Sequence, residues 1–149
     1  MLIIVAVLFI LIEKLGERVK KIDKISKVDS LLIGLAQALA LIPGTSRSGI
    51  TILAGLSRGI NRADAAKFSF LMSIPIILGA SLTKIPSISS GIDPSELGIW
   101  IVAFGAAFLS AILAISFLFN YIKKNNFLIF AYYRIILAFL LILYFIVLS

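Results

Sequence analysis

An uncharged stretch of 21 residues, from Ile99 to Phe119, limits the folds that this chain can adopt. As an α-helix it would be about 32 Å long, which matches the roughly 30 Å hydrocarbon core of a membrane. Hydrophobic residues make up 61% of the whole sequence, so the rest of the chain has the same character. The sequence therefore predicts an all-α polytopic membrane protein, with residues 1–149 forming a single transmembrane domain.

The composition also excludes several kinds of chemistry. Neither cysteine nor histidine occurs, which removes disulfides, thiolate nucleophiles, the usual general base and the commonest metal ligand. The net charge of +7 is concentrated in short segments beside apolar runs. We interpret this charge as setting the orientation in a membrane, and we expect no nucleic-acid partner.

Charges and turn residues divide the chain into segments. Residues 1–19 are predicted to form a partial or truncated helix, because the apolar run ends at Ile12, short of a full crossing. The segment 13–29 carries six Lys/Arg against four acids, as is typical of a cytoplasmic connector. Three transmembrane helices are predicted, at 62–83, 99–120 and 127–148.

Two polar residues are informative within this plan. Asn61, with Asp64 three residues later, is predicted to cap the helix that begins at Arg62. Arg134 lies inside the last apolar segment, seven residues past Phe127. It is either an inward-facing structural partner or an anchor that snorkels to the membrane surface, and the sequence leaves both alternatives open.

A polar loop interrupts the apolar sequence between residues 30 and 58. The loop Pro43-Gly44-Thr45-Ser46-Arg47-Ser48-Gly49-Ile50-Thr51 carries four hydroxyls and a guanidinium. Unpaired polar groups inside a membrane cost several kcal/mol each, so such a cluster favours a bound ligand. Basic residues flank both ends of this segment. Residues 30–58 are therefore predicted to form a re-entrant hairpin and not one long spanning helix.

The composition of the loop predicts a phosphate site. Arg47 offers a planar fork of donors that matches phosphate oxygens, and the glycines let the backbone approach a ligand closely. A helix beginning near Ser48 would direct its free N–H groups at the same anion. The predicted phosphate-binding residues are Gly44, Ser46, Arg47, Ser48, Gly49 and Thr51.

Two other interpretations of the loop are possible. The spacing of Gly44 and Gly49 resembles a P-loop, but Ile50 occupies the position of the essential lysine and no strand precedes the loop. The loop could also be an ordinary polar turn, with Pro43 and Gly44 as helix breakers. An arginine and several hydroxyls in an otherwise uncharged stretch favour the functional interpretation.

Two motifs carry a resemblance to a known family. Pro43-Gly44-Thr45-Ser46-Arg47-Ser48-Gly49-Ile50-Thr51 and Phe68-Ser69-Phe70-Leu71-Met72-Ser73-Ile74-Pro75 resemble the undecaprenyl-diphosphate phosphatase family of the bacitracin-resistance type. The resemblance extends over essentially the whole chain and covers the C-terminal half of the family. It implies a multi-pass plasma-membrane protein, in which this chain is one half of an inverted-repeat fold and contributes one re-entrant helical hairpin.

The resemblance also implies a function. The expected reaction is hydrolysis of undecaprenyl diphosphate to the monophosphate and phosphate, which recycles the lipid carrier for peptidoglycan synthesis. Ser46 and Arg47 are the residues expected to act in catalysis. The family's other half supplies a Glu-x-x-x-Glu pair, and a divalent cation (Mg or Ca) is expected for the complete enzyme. No metal ligand is assigned to this chain.

The expected partners follow from this assignment. They are the membrane, a polyprenyl diphosphate lipid, and either a second half bearing Glu-x-x-x-Glu or further copies of this chain. Alone, the chain is predicted to be inactive. The alternatives are a non-catalytic module that binds or transports a lipid diphosphate, and an inactive fragment.

Overall fold

The computed structural model describes residues 1–15, 18–85 and 96–148, and these residues are helical apart from short connections. The α-helices are α1 (Leu2–Lys14), α2 (Lys27–Gln37), α3 (Arg47–Ser57), α4 (Arg62–Leu82), α5 (Leu97–Ile122) and α6 (Leu128–Leu148). Two 3-10 turns, Ile22–Lys24 and Ala38–Leu41, complete the described elements. The prediction of an all-helical protein is confirmed for this part of the chain.

Three of the helices are long and apolar enough to cross a membrane, namely α4, α5 and α6. The first helix ends at Lys14 and does not continue through the connector to residue 19, while residues 16 and 17 lie outside the described part. Its 13 residues would extend about 20 Å, less than the thickness of a hydrocarbon core.

The segment between the connector and α4 is a helical hairpin. Helix α2 runs through the 3-10 turn Ala38–Leu41 into the polar loop, and α3 returns and packs against α2. Each arm is shorter than the roughly 20 residues that a crossing requires. The structure shows a packed pair of short helices, while re-entry into a membrane stays a prediction.

Polar side chains fix where these helices begin. Ser26 and Asp29 form a reciprocal capping box at the start of α2, with N···O distances of 3.1 and 3.0 Å. The predicted cap at Asn61 is confirmed, because its Oδ1 accepts a hydrogen bond from the Asp64 N–H at 3.0 Å. These caps set the boundaries of the connector and of α4.

Glu13 joins three elements at the polar end of the bundle. Its carboxylate accepts hydrogen bonds from the Arg62 guanidinium, from Arg18 Nη1 at 3.0 Å and from the backbone N–H of Phe127 at 3.1 Å. The end of α1 and the beginnings of α4 and α6 therefore meet at one buried carboxylate, whose side chain is only 3% exposed.

The hydrophobic core lies among α1, α3, α4 and α6. Helix α1 packs along α6 and also contacts α3, and Phe9 and Phe127 meet with ring centroids 5.6 Å apart. Helix α5 touches α4 near its end, where Phe70 lies 5.8 Å from Phe119. Most of the α5 surface is exposed and apolar, as expected for a helix that faces lipid.

Candidate functional site at the hairpin tip

The loop ends where Ser46 caps α3. Its Oγ accepts a hydrogen bond from the Gly49 N–H at 3.1 Å and lies 3.3 Å from the Ser48 Oγ. Gly44 has φ of +82°, a conformation that costs other L-residues about 1 to 2 kcal/mol. The N–H groups of Arg47 and Ser48, in the first turn of α3, have no intrahelical acceptor. The hairpin tip therefore presents two hydroxyls and two backbone donors.

Arg134 completes a small cavity at this tip. The cavity has a volume of about 290 Å³, and Ser46, Ser48, Gly49 and Arg134 supply its polar groups. The rest of the lining consists of Phe9, Ile52, Leu118, Phe127, Phe130 and Tyr133. We refer to this space as the hairpin-tip cavity.

The guanidinium of Arg134 reaches the first turn of α3. A Cβ built on Gly49 would lie 3.4 Å from Arg134 Nη1. This Nη1 is buried and has no hydrogen-bond partner in the described structure. Of the two alternatives for this arginine, the structure shows the inward-facing one. The sequence signal was an arginine within a long apolar helix, and only packing shows what it faces.

The electrostatics of the hairpin-tip cavity suit an anion. The N-terminus of a helix carries a partial positive charge, and Arg134 adds a full one beside it. Two like charges brought together in an apolar surrounding are costly unless a negative group lies between them. A phosphate group would satisfy the free donors of both elements.

Arg47 and Thr51 face the other side of α3. They lie four residues apart and therefore share one helix face, which points to α4. Arg47 Nη1 donates to the carbonyl oxygen of Ser69 at 3.4 Å, and Thr51 Oγ1 lies 2.6 Å from the Ser69 Oγ. Thr51 is 1% exposed, so it joins α3 to α4 from within the core.

The six predicted phosphate-binding residues are thus divided between surfaces. Ser46, Ser48 and Gly49 lie together in the hairpin-tip cavity, whereas Arg47 and Thr51 meet Ser69. Gly44 lines a separate apolar cavity of about 790 Å³ between the start of α1 and the second half of α6. The loop therefore offers polar groups on two sides and borders an apolar space.

Two further polar atoms of the hairpin lack hydrogen-bond partners in the part of the chain that the structure describes. Gln37 Oε1 and Thr45 Oγ1 are buried without a hydrogen bond in the described residues. Buried polar atoms are normally paired, so these two are available to hydrogen-bond a polar group that binds beside them. Together with Arg134 Nη1 they place three such atoms around one hairpin.

The donor set near the tip does not fit a divalent cation. Proteins bind Mg²⁺ and Ca²⁺ mainly through carboxylate and carbonyl oxygens, and the hairpin-tip cavity offers hydroxyls beside an arginine cation that would repel a metal ion. Among residues 1–15, 18–85 and 96–148, no group of three or more acidic side chains could hold a metal ion. Asp29 and Asp64 are engaged in hydrogen bonds near the polar end.

Three helices able to span a membrane, together with a polar-tipped helical hairpin, define an α-helical membrane protein. Residues 1–140 match the family model described as Bacitracin resistance protein BacA, so the chain belongs to that family. The resemblance found in the sequence motifs is therefore confirmed.

Curated relatives carry the name undecaprenyl-diphosphatase. The protein of Acetivibrio thermocellus is 46% identical and that of Desulfitobacterium hafniense 43% identical, each over 97% of this chain and 54% of the relative. The protein of Enterococcus faecalis is 40% identical over 96% of this chain and 53% of the relative. The chain spans about half the length of the curated relatives it matches.

Proposed function

We propose that this chain supplies the phosphate-binding part of an undecaprenyl-diphosphate phosphatase. In the proposed reaction, water attacks the terminal phosphorus and the bond to the bridging oxygen breaks. The products are the lipid monophosphate and inorganic phosphate. Family membership supports the substrate, since the curated relatives are named for this activity.

One observation carries the proposal. The Nη1 of Arg134 is buried, has no hydrogen-bond partner among the described residues, and faces the capped N-terminus of α3, with Ser46 and Ser48 beside it. Such an arrangement leaves donors ready for the negative charge that develops on phosphate oxygens. Arg47 faces α4 from the other side of α3. We propose that it binds the second phosphate of the same diphosphate, since its planar fork of donors matches phosphate oxygens.

The apolar cavity beside Gly44 supports a lipid substrate. Apart from this glycine, its lining is hydrophobic side chains of α1 and α6. A prenyl chain leaving the hairpin tip could lie in this cavity, and its burial would stabilise binding by about 25 cal/mol per Å² of apolar surface. We further propose that the hairpin re-enters the plasma membrane from the cytoplasmic side, as the basic residues at both ends of residues 30–58 indicate.

The remaining catalytic groups would come from another polypeptide segment. Phosphate release needs an activated nucleophile or a metal-bound water, and the described residues of the hairpin tip offer only hydroxyls and cations. We propose that a second half bearing Glu-x-x-x-Glu holds the divalent cation. A homodimer of this chain would bring a second arginine and no carboxylate pair.

Reconstitution tests this proposal. The purified chain alone should release no phosphate from a polyprenyl diphosphate. Coexpression with the part of the Acetivibrio thermocellus relative that lies outside the match should restore divalent-cation-dependent release. Robust phosphate release by the chain alone would contradict the proposal that the remaining catalytic groups come from another polypeptide segment. Saturable lipid binding with no release in either preparation would favour the alternative, a binding or transport module.

A further inference from the structure

A second group of cations surrounds a polar pocket at the opposite end of the hairpin. The pocket has a volume of about 470 Å³, and four cationic residues line it, namely Arg18, Arg62, Lys123 and Lys124. The other lining residues are Asn61, Ala63, Ile122, Asn125 and Asn126. We call this space the basic pocket. It is separate from the hairpin-tip cavity, since the 11 residues of α3 extend about 16 Å between the tip and the polar end.

The charge of the basic pocket is only partly balanced. Glu13 contacts Arg18 and Arg62, and it is the one carboxylate paired with them in the described structure. Lys123 and Lys124 are exposed and have no ion pair within the described residues. Counted over the described residues, the pocket therefore has an excess of positive charge.

Arg18 provides the observation that points to a ligand. Its side chain is only 5% exposed, and Nη1 donates to Glu13 at 3.0 Å. Its Nη2 is buried and has no hydrogen-bond partner among the described residues. A buried guanidinium donor without an acceptor is costly, and an anion in the pocket would satisfy it. A solvated cluster of surface lysines would not require this.

The position of the basic pocket defines which anions can reach it. It lies where α4 and α6 begin and α5 ends, beside the basic connector. These helix ends would lie at the cytoplasmic surface of the membrane, where anionic lipid headgroups concentrate. From this geometry we infer that the basic pocket binds a phosphate group, carried by an anionic lipid headgroup or present as free phosphate.

The experiment uses the full chain in an uncharged detergent and follows its thermal unfolding. One arm titrates short-chain phosphatidylglycerol, with short-chain phosphatidylcholine as the zwitterionic control. A second arm titrates inorganic phosphate against chloride at equal ionic strength. Stabilisation by phosphatidylglycerol alone identifies a headgroup site, and stabilisation by phosphate alone identifies a site for the free anion. Stabilisation by both supports the shared chemistry.

Variants locate the effect in the basic pocket. Lys123→Gln with Lys124→Gln should weaken apparent affinity by about fivefold per lysine, the equivalent of about 1 kcal/mol each. The matched control is Lys21→Gln with Lys24→Gln, which removes the same charge from exposed lysines of the connector outside the pocket. Absence of stabilisation in both arms would overturn the inference, as would an equal loss in the two double variants.

Discussion

Arg58 donates a hydrogen bond through Nε to Oδ1 of Asp29 over 2.9 Å, and this contact joins the end of α3 to the beginning of α2. Lys20 contacts the other carboxylate oxygen at 2.9 Å. The arms of the hairpin are thus linked by the loop at one end and by an ion pair at the other. Asp29 is 1% exposed, so its charge depends on these partners.

The first prediction concerns the pH dependence of the ion pairs that Asp29 forms with Arg58 and Lys20. Hydrogen bonds from the Ser26 N–H, Arg58, Lys20 and the Ser26 hydroxyl hold the pKa of Asp29 well below its ordinary value. A carboxyl with a lowered folded-state pKa stabilises the fold above its unfolded pKa of about 3.9 and loses that contribution as the pH falls further. The contribution of Asp29 to stability should therefore be constant between about pH 5 and about pH 8. The unfolding temperature should fall as the pH drops below about pH 4.

Two variants separate Asp29 from general acid effects. Asp29→Asn should lower the unfolding temperature at neutral pH. It should also reduce the fall of the unfolding temperature at acid pH. Asp23→Asn alters an exposed carboxyl of the same connector and should leave both unchanged. The prediction would be contradicted if the unfolding temperatures of Asp29→Asn and the parent chain fell equally at acid pH.

The second prediction concerns topology. A re-entrant hairpin puts Lys27 and Ala63 on the same side of the membrane, because the two arms end together at Asp29 and Arg58. The chain contains no cysteine, so single cysteines at positions 27 and 63 can be labelled with an impermeant reagent. Lys84→Cys, beyond the far end of α4, is the control for the opposite side. Labelling of positions 27 and 63 from opposite sides would exclude re-entry.

The third prediction concerns Arg47. In the reconstituted enzyme, Arg47→Lys should reduce turnover nearly as much as Arg47→Ala, because lysine lacks the forked donor geometry. Loss of a donor of this kind commonly costs roughly 10²- to 10³-fold in turnover. Lys21→Ala, an exposed charge of the connector, serves as the control. Activity of Arg47→Ala within a few-fold of the parent would restore the interpretation as an ordinary turn.

The fourth prediction distinguishes a ligand-binding role for Arg134 from a structural one. Arg134→Met removes a cation whose Nη1 is buried and has no partner in the described part of the chain, and puts an unbranched apolar side chain in its place. The free chain should gain stability, since removal of an uncompensated buried charge is favourable. Turnover of the reconstituted enzyme should fall by about 10²-fold or more. A structural role would give the reverse, with lower unfolding temperature and preserved turnover.

The fifth prediction tests the close approach at Gly49. A Cβ there would lie 3.1 Å from Ser46 Cβ and 3.2 Å from Ser46 Oγ, closer than most real contacts. Gly49→Ala should therefore displace the cap and the Arg134 guanidinium and lower phosphate affinity. Gly34→Ala is the matched control, because nothing lies within 4 Å of its Cβ and helix propensity should stabilise it by about 1 kcal/mol. Equal phosphate affinity in the two variants would show that the tip tolerates a methyl group.

Much of the fold follows from local properties of the sequence. Long uncharged runs require helices, because only an internally bonded backbone is stable in hydrocarbon. The cap at Asn61 depends on a side chain three residues from its partner, and such short-range contacts are readable from spacing. The family, too, follows from contiguous motifs such as the loop around Ser46 and Arg47. The match of residues 1–140 to the family model confirms it.

Only the tertiary structure decided which groups share a site. The sequence placed Arg47, Ser48 and Thr51 in one cluster because they are neighbours along the chain. Helix geometry turns Arg47 and Thr51 toward Ser69 and leaves Ser48 beside Arg134, which is 86 residues away along the chain. The direction of a helical side chain depends on the 3.6-residue period, and its partner depends on packing between distant helices. The spacing of Arg47 and Thr51 shows that they share a face, but the sequence of a single loop does not show that Ser69 lies against that face or that Arg134 lies beside Ser48.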